Sequence, residues 1–190
     1  MSTRRKIGIG ALVAGGALAV LAPHVAAQGA GGTRLIGACG GDRLQVRTLQ
    51  DRPKLLPAKR TTLEHLVRLQ RPKRLPATRL PIEHQVFTLV ALVGDRYRER
   101  NGDIRAVVPQ LGKPLTHAVA VAAPAPACNS RATNDLRRQM GLARQGMIRS
   151  VCSRVKVTGV AFFTTRPKTW LTPARNRIEL HPLLGFTCVR

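Results

Sequence analysis

The tightest constraint on how this chain can fold lies near its C-terminus, where two β-type runs sit between two cysteines. RVKVTGVAFF (154–163) and RIELHPLLGF (177–186) are rich in β-branched, aromatic and apolar residues, and Cys152 and Cys188 flank them. Joined by TTRPKTWLTPARN, they pair as an antiparallel hairpin in which Val155 faces Gly185 and Phe163 faces Arg177. Extended outward, the same register sets Cys152 opposite Cys188. Directly opposed residues lie about 4.5–5.5 Å apart at Cα, within reach of a disulfide. Of the three pairings four cysteines allow, this one leaves Cys39 to Cys128.

Disulfides imply an oxidising compartment, and the N-terminus agrees. Arg4, Arg5 and Lys6 precede an apolar run of 16 residues, IGIGALVAGGALAVLA, and Val25 and Ala27 suit cleavage after Ala27. Residues 1–27 therefore read as a secretory signal peptide. The run is shorter than the roughly 20 apolar residues a bilayer span needs. The Arg pair also resembles a twin-arginine signal, although Gly8 and Ile9 fit that pattern poorly. No second long apolar run follows, so no membrane span is expected in the mature chain, and the product is expected to be secreted or periplasmic. Zinc is the rival use of four cysteines, but no C-x-x-C pair occurs.

Residues 28–38 are Gly-rich and read as a flexible lead-in to one domain, 39–190. RLQVRTL (43–49) alternates like a strand, with Leu44, Val46 and Thr48 on one side and Arg43, Gln45 and Arg47 on the other. Thr61 and Thr62 cap a short helix over LEHLVRL. Pro72, Pro76 and Pro81 break 70–82 into an extended basic surface linker. QVFTLVALVGDRYRER reads as one long strand, and Asn101-Gly102 turns it into a partner, DIRAVVP. Leu111-Gly112-Lys113-Pro114 reads as a further turn, and THAVAVAAP as a strand built of small residues. Asn129, Ser130 and Arg131 offer caps for a longer helix, NDLRRQMGLARQGMIRSV, with Leu136, Met140, Ala143, Met147 and Ile148 on its apolar face. The expected class is α+β, mainly β: a small OB-fold-like barrel with one short and one longer helix.

The net charge is +23, with nine acids against 32 basic residues, which implies affinity for polyanions such as nucleic acid, acidic polysaccharide or lipid headgroups. Arg137, Arg138, Arg144 and Arg149 form an arginine row on the longer helix and are the candidate anion-binding residues. Six aromatics are few for a protein that stacks bases, so general anion affinity is favoured over specific nucleic-acid recognition.

Read together, CGGDRLQVRT, TTLEHLVRL, LPIEHQVFTLVAL, VKVTGVAFF and NRIELHPLL resemble the motifs of a group of secreted bacterial and fungal proteins to which no reaction is firmly attached. The resemblance runs from Cys39 to Phe186 and implies the fold and export. This chain departs from the pattern at three places. Arg105 stands where the family has the histidine of D-x-H. Ala122 stands in place of an acid before a proline. FFTTRPKTW lacks the acid and histidine of F-F-D-x-x-H-G-Q.

Asp103, Glu179 and His181 remain as candidate catalytic residues. Glu179 and His181 share a strand face, and a second carboxylate completes the minimum for a hydrolytic or metal site. In that alternative the chain is a metal-dependent, nuclease-like phosphodiesterase or a degenerate relative of one, using a divalent metal. Otherwise neither cofactor nor metal is expected, and Glu179 and His181 are a structural pair. No phosphate-binding glycine loop, G-x-S-x-G or H-E-x-x-H is present. The expected function is an exported basic binding protein rather than an enzyme, with a structural envelope role as a further alternative. The sequence specifies no oligomeric state.

Overall fold

The computed structural model describes residues 39–110, 113–114 and 117–189. The expected signal peptide, the expected flexible lead-in 28–38 and the Leu111-Gly112 half of the expected turn lie outside the described residues. The elements run α1 (Leu44–Arg47), β1 (Leu56–Arg60), α2 (Leu63–Arg68), β2 (Gln85–Leu92), β3 (Arg96–Arg98), β4 (Ile104–Val108), β5 (Val119–Ala123), α3 (Asn134–Arg149), β6 (Arg154–Phe163) and β7 (Ile178–Cys188). The class is α+β, mainly β. The strands form one seven-stranded sheet in the order β1-β2-β6-β7-β5-β4-β3. It is not the closed barrel expected: β1 and β3 are its two edges. Both suit that place. β1 is exposed throughout and carries Pro57, Lys59 and Arg60, which discourage further pairing, and β3 has only three residues.

Both disulfides join the expected partners, Cys39–Cys128 and Cys152–Cys188. The hairpin register is corrected. Val155 faces Cys188 and Thr158 faces Gly185, whereas Phe163 faces Ile178, with irregularities between Thr158 and Ala161. Pro182 offers no N–H to the ladder there, and the bulge shifts every pair beyond it. Cys152 thus precedes the ladder and reaches Cys188 from beyond its end, with Cα atoms 5.9 Å apart.

Residues 43–49 are not a strand. Arg43 has φ 45°, and α1 follows it, with the Thr48 hydroxyl donating back to the Leu44 carbonyl. The long strand expected over 85–100 breaks at Val93–Asp95 into β2 and β3, which lie far apart in the sheet. The expected linker 70–82 is not all surface: the Arg79 side chain is 4% exposed and binds Asp51 and the carbonyls of Val46 and Glu83.

α2 is capped as expected, by the Thr62 hydroxyl on the His65 N–H. The cap of α3 is Thr133, not Asn129, Ser130 or Arg131. Met140, Ala143 and Met147 of α3 are buried, but Ile148 is exposed. Gly146 faces the Phe186 carbonyl so closely that any Cβ would collide with backbone, which lets α3 lie directly on β7. The main core packs under the sheet face bearing Phe87, Leu89, Ile104, Ala106, Val121, Val157, Phe163 and Leu180.

Candidate functional site

The opposite sheet face is polar where β3, β4, β5 and β7 run side by side. Alternation puts Asp103 and Arg105 on the side away from Ile104 and Ala106, and Glu179 and His181 on the side away from Leu180. Arg105 lies opposite Ala122 and Glu179 beside Ala120, so the two long side chains flank β5 where it carries only methyl groups. The small residues of β5 leave room for a guanidinium and a carboxylate to meet across it. Arg105 Nη1 is 2.9 Å from Glu179 Oε1, and both side chains are 1% exposed. Arg105 Nε donates to Glu99 Oε1 at 2.9 Å, and Arg166, from the segment joining β6 and β7, donates to the same oxygen at 2.7 Å.

The three residues singled out from sequence do come together. His181 Nε2 is 3.7 Å from Asp103 Oδ2, and His181 Nδ1 is 3.6 Å from Glu179 Oε2. Neither distance is a hydrogen bond. All three side chains are buried, as is Arg47, whose Nη1 lies 3.4 Å from Asp103 Oδ2. Asp103 also has structural work. Its Oδ1 accepts the Ala125 N–H, and its Oδ2 accepts the Asn101 side-chain amide. It thereby fixes the β3–β4 turn, where Gly102 takes φ 81°.

The electrostatics follow from burial and pairing. Burial alone would raise the Glu179 carboxyl, but Arg105 and then His181 outweigh it and hold the group at about 2. Burial is also the largest influence on Arg105, yet Glu179 and Glu99 together raise its pKa. Burial lowers His181 below its ordinary 6.5 despite Glu179 and Asp103, so its ring is neutral at pH 7. Arg47 is lowered by burial, partly offset by Asp103. The arrangement is a closed ionic cluster. Among the described residues, no group of three His, Cys, Asp or Glu side chains is placed to hold a metal ion.

A neutral buried histidine makes folding stability depend on pH. The unfolded chain takes up a proton near 6.5 that the folded chain resists, so stability is lost as pH falls below that value. Glu179 adds a second loss between about 4.5 and about 2, where its carboxylate is protonated in the unfolded chain first. Thermal melts should show Tm falling steadily from pH 7 to pH 5, with a slope for one proton of at most about 1.4 kcal/mol per pH unit. His181→Gln should flatten that interval. An equally steep fall in the variant would show that His181 is not its source.

A second buried pair flanks the cluster. Arg43 grips Glu83 with two bonds of 2.6 Å, and Glu83 also accepts the N–H groups of Phe163 and Leu80. Sequence reading missed Arg43, Arg47, Glu83, Glu99, Arg105 and Arg166 as members of a buried network. The available signal was the alternation of Asp103 with Arg105 beside a strand of alanines. Arg105 and Ala122 are register partners, and Arg166, from the segment joining β6 and β7, reaches the same Glu99 oxygen as Arg105.

The candidate anion-binding row divides. Arg137, Arg138 and Arg149 are exposed. Arg144 is turned inward and donates to the carbonyls of Ala123, Pro124 and Gly102, so it ties α3 to the sheet. Arg137, Arg138 and Arg144 line one cleft of about 370 Å³, whose lining does not include Arg149. No helix among the described residues is long and apolar enough to cross a membrane. No family model, no curated protein and no solved structure matches this chain.

Proposed function

We propose that this chain is an exported binding protein for anionic polymers, held to them by its surface charge. One observation carries the reading: the acids are spent inside. Glu83, Asp103 and Glu179 are buried against arginines, and Glu99 is largely covered between Arg105 and Arg166. Of nine acids, only Asp51, Glu64, Asp95 and Asp135 are exposed. Exposed basic residues occur on β1, α2, the 70–82 segment, α3 and β6. The excess positive charge therefore belongs to the surface, where it acts on partners. Binding of labelled heparin and of DNA should be tight at 50 mM salt and weaken at least about tenfold by 200 mM, because neutralised sites release counterions. Absence of binding at low salt, or binding indifferent to salt, overturns the proposal.

The convergence of Asp103, Glu179 and His181 favours a second reading, a hydrolytic site or the remnant of one. The expected divalent-metal chemistry fits these residues poorly, since arginines already occupy both carboxylates. The chain is read as a degenerate relative, in which Arg105 and Arg47 supply the positive charge a metal would bring. Nucleic acid left intact after incubation with calcium, magnesium, manganese and zinc supports degeneracy. Cleavage abolished by His181→Gln would restore the enzyme.

A further inference from the structure

We infer that the outer side and C-terminal end of α3 dock on an anionic lipid surface, a reading that rests on the polyanion proposal and names one partner for it. No acid occurs in the sequence between Asp135 and Glu179. Within that stretch α3 turns Met140, Ala143 and Met147 inward. On its outer side Leu142 is 62% exposed and Ile148 56%, and Val151, just past the helix, is 100% exposed. These are three of the six large hydrophobic side chains exposed among the described residues, so they form a patch rather than a scatter.

The exposure is built into the fold. The Ser150 N–H bonds the Gly146 carbonyl. Cys152 is bonded to Cys188, and its carbonyl accepts from Arg96. Val151 is thus held outward between two tethered neighbours. Leu142 and Ile148 lie about 9 Å apart along the helix axis. Arg138 and Arg149 are exposed, and at about 100° per residue both fall between Leu142 and Ile148 around the helix. Cations and aliphatic side chains therefore share one surface. Two exposed acids oppose them. Asp135 is paired with Arg138. Asp95 follows Val93, whose N–H bonds the Ser153 carbonyl, and is followed by Arg96 and Arg98. With Arg137 also exposed on α3, positive charge predominates.

The cations select an anionic partner. The aliphatic side chains select among anionic partners. A phosphate backbone or an acidic sugar chain is charged and hydrated along its length and offers Leu142, Ile148 and Val151 no apolar medium. An anionic bilayer offers both parts, headgroups at the level of the arginines and acyl chains just beneath for the aliphatic groups. The main apolar face of α3 is spent on the core, so only these few side chains enter. The contact is peripheral and reversible, and no helix among the described residues is long and apolar enough to cross the membrane.

The test is co-sedimentation with vesicles of phosphatidylcholine, with and without phosphatidylglycerol. The anionic vesicles should bind at least about tenfold more tightly. Leu142→Gln/Ile148→Gln/Val151→Gln keeps every charge. It should lose about tenfold on anionic vesicles while binding heparin and DNA as the parent does. A second measurement does not depend on a loss. Trp170 is the one tryptophan of the chain, so Ile148→Trp in a Trp170→Phe background puts the only indole on α3. Its emission should shift to the blue on anionic vesicles and be quenched by lipids brominated in their acyl chains. Unshifted emission, undiminished vesicle binding by the triple variant, or equal binding to phosphatidylcholine alone overturns the docking surface and leaves the polyanion reading standing. So does a parent that binds heparin and DNA but not anionic vesicles. A triple variant that loses heparin in step with vesicles overturns the apolar contact. A parent that binds none of the three at low salt removes both readings.

Discussion

Arg105→Ala is expected to destabilise the protein by about 3–5 kcal/mol, the cost of stranding a buried charge by removing its partner. Glu179, in a site 1% exposed, would lose the cation that does most to hold its carboxyl low, and burial would push that carboxyl upward. Glu99 would lose one of its two arginines. For a domain of this size the loss corresponds to a Tm lower by about 6–20 °C. Arg105→Lys should fall between. An ammonium keeps the charge, but it lacks the planar fork that reaches Glu99 through Nε and Glu179 through Nη1. The double replacement Arg105→Met/Glu179→Met should recover most of the loss, because an apolar pair over Ala120 and Ala122 leaves no charge without a partner. Urea unfolding followed by circular dichroism measures all three. An Arg105→Ala protein within about 1 kcal/mol of the parent would show that the pair is hydrated rather than buried.

That network also shows where sequence reading works and where it stops. Asp103, Glu179 and His181 were legible because strand alternation places side chains on faces, and a face is a local property. Arg105 occupies the same pattern one step from Asp103, yet arginines in so basic a chain read as solvent charge. Its burial depends on Glu179, 74 residues away in sequence but across one alanine strand in space. The same blindness turned α1 into a strand. Leu44, Val46 and Thr48 alternate, but Arg47 on the polar side is drawn inward by Asp103, and no local period records that partner. β1 gave no signal at all, since an edge strand exposed on every residue has no buried face to impose a pattern. The hairpin of β6 and β7 was legible as two strands and a disulfide. Its register was not, because a bulge at Pro182 changes the pairing without changing the composition.

Replacing Cys39 and Cys128 together by alanine should cost about 4–5 kcal/mol, more than the same change at Cys152 and Cys188, at about 3–4 kcal/mol. The order follows from loop length. The first bridge closes 89 residues of separation and the second 36, and the entropy withheld from the unfolded chain grows with the logarithm of the loop. The folded state sharpens the contrast. The Cys39–Cys128 bridge tethers the segment that carries Arg43 and Arg47 into the interior, where they meet Glu83 and Asp103. Without it, those two buried acids keep their partners only while that segment stays docked. The Cys152–Cys188 bridge instead closes a hairpin whose strands are already laddered from Val155 to Phe163. Urea midpoints of the two double variants test the order, and a larger loss at Cys152 and Cys188 would reverse the argument. Reducing both bridges at once removes a stabilisation comparable to the whole of a typical domain's 5–15 kcal/mol. Treatment with a thiol reductant at 37 °C should therefore unfold the protein, and it should release Arg43 and Arg47 from their buried acids in the same transition.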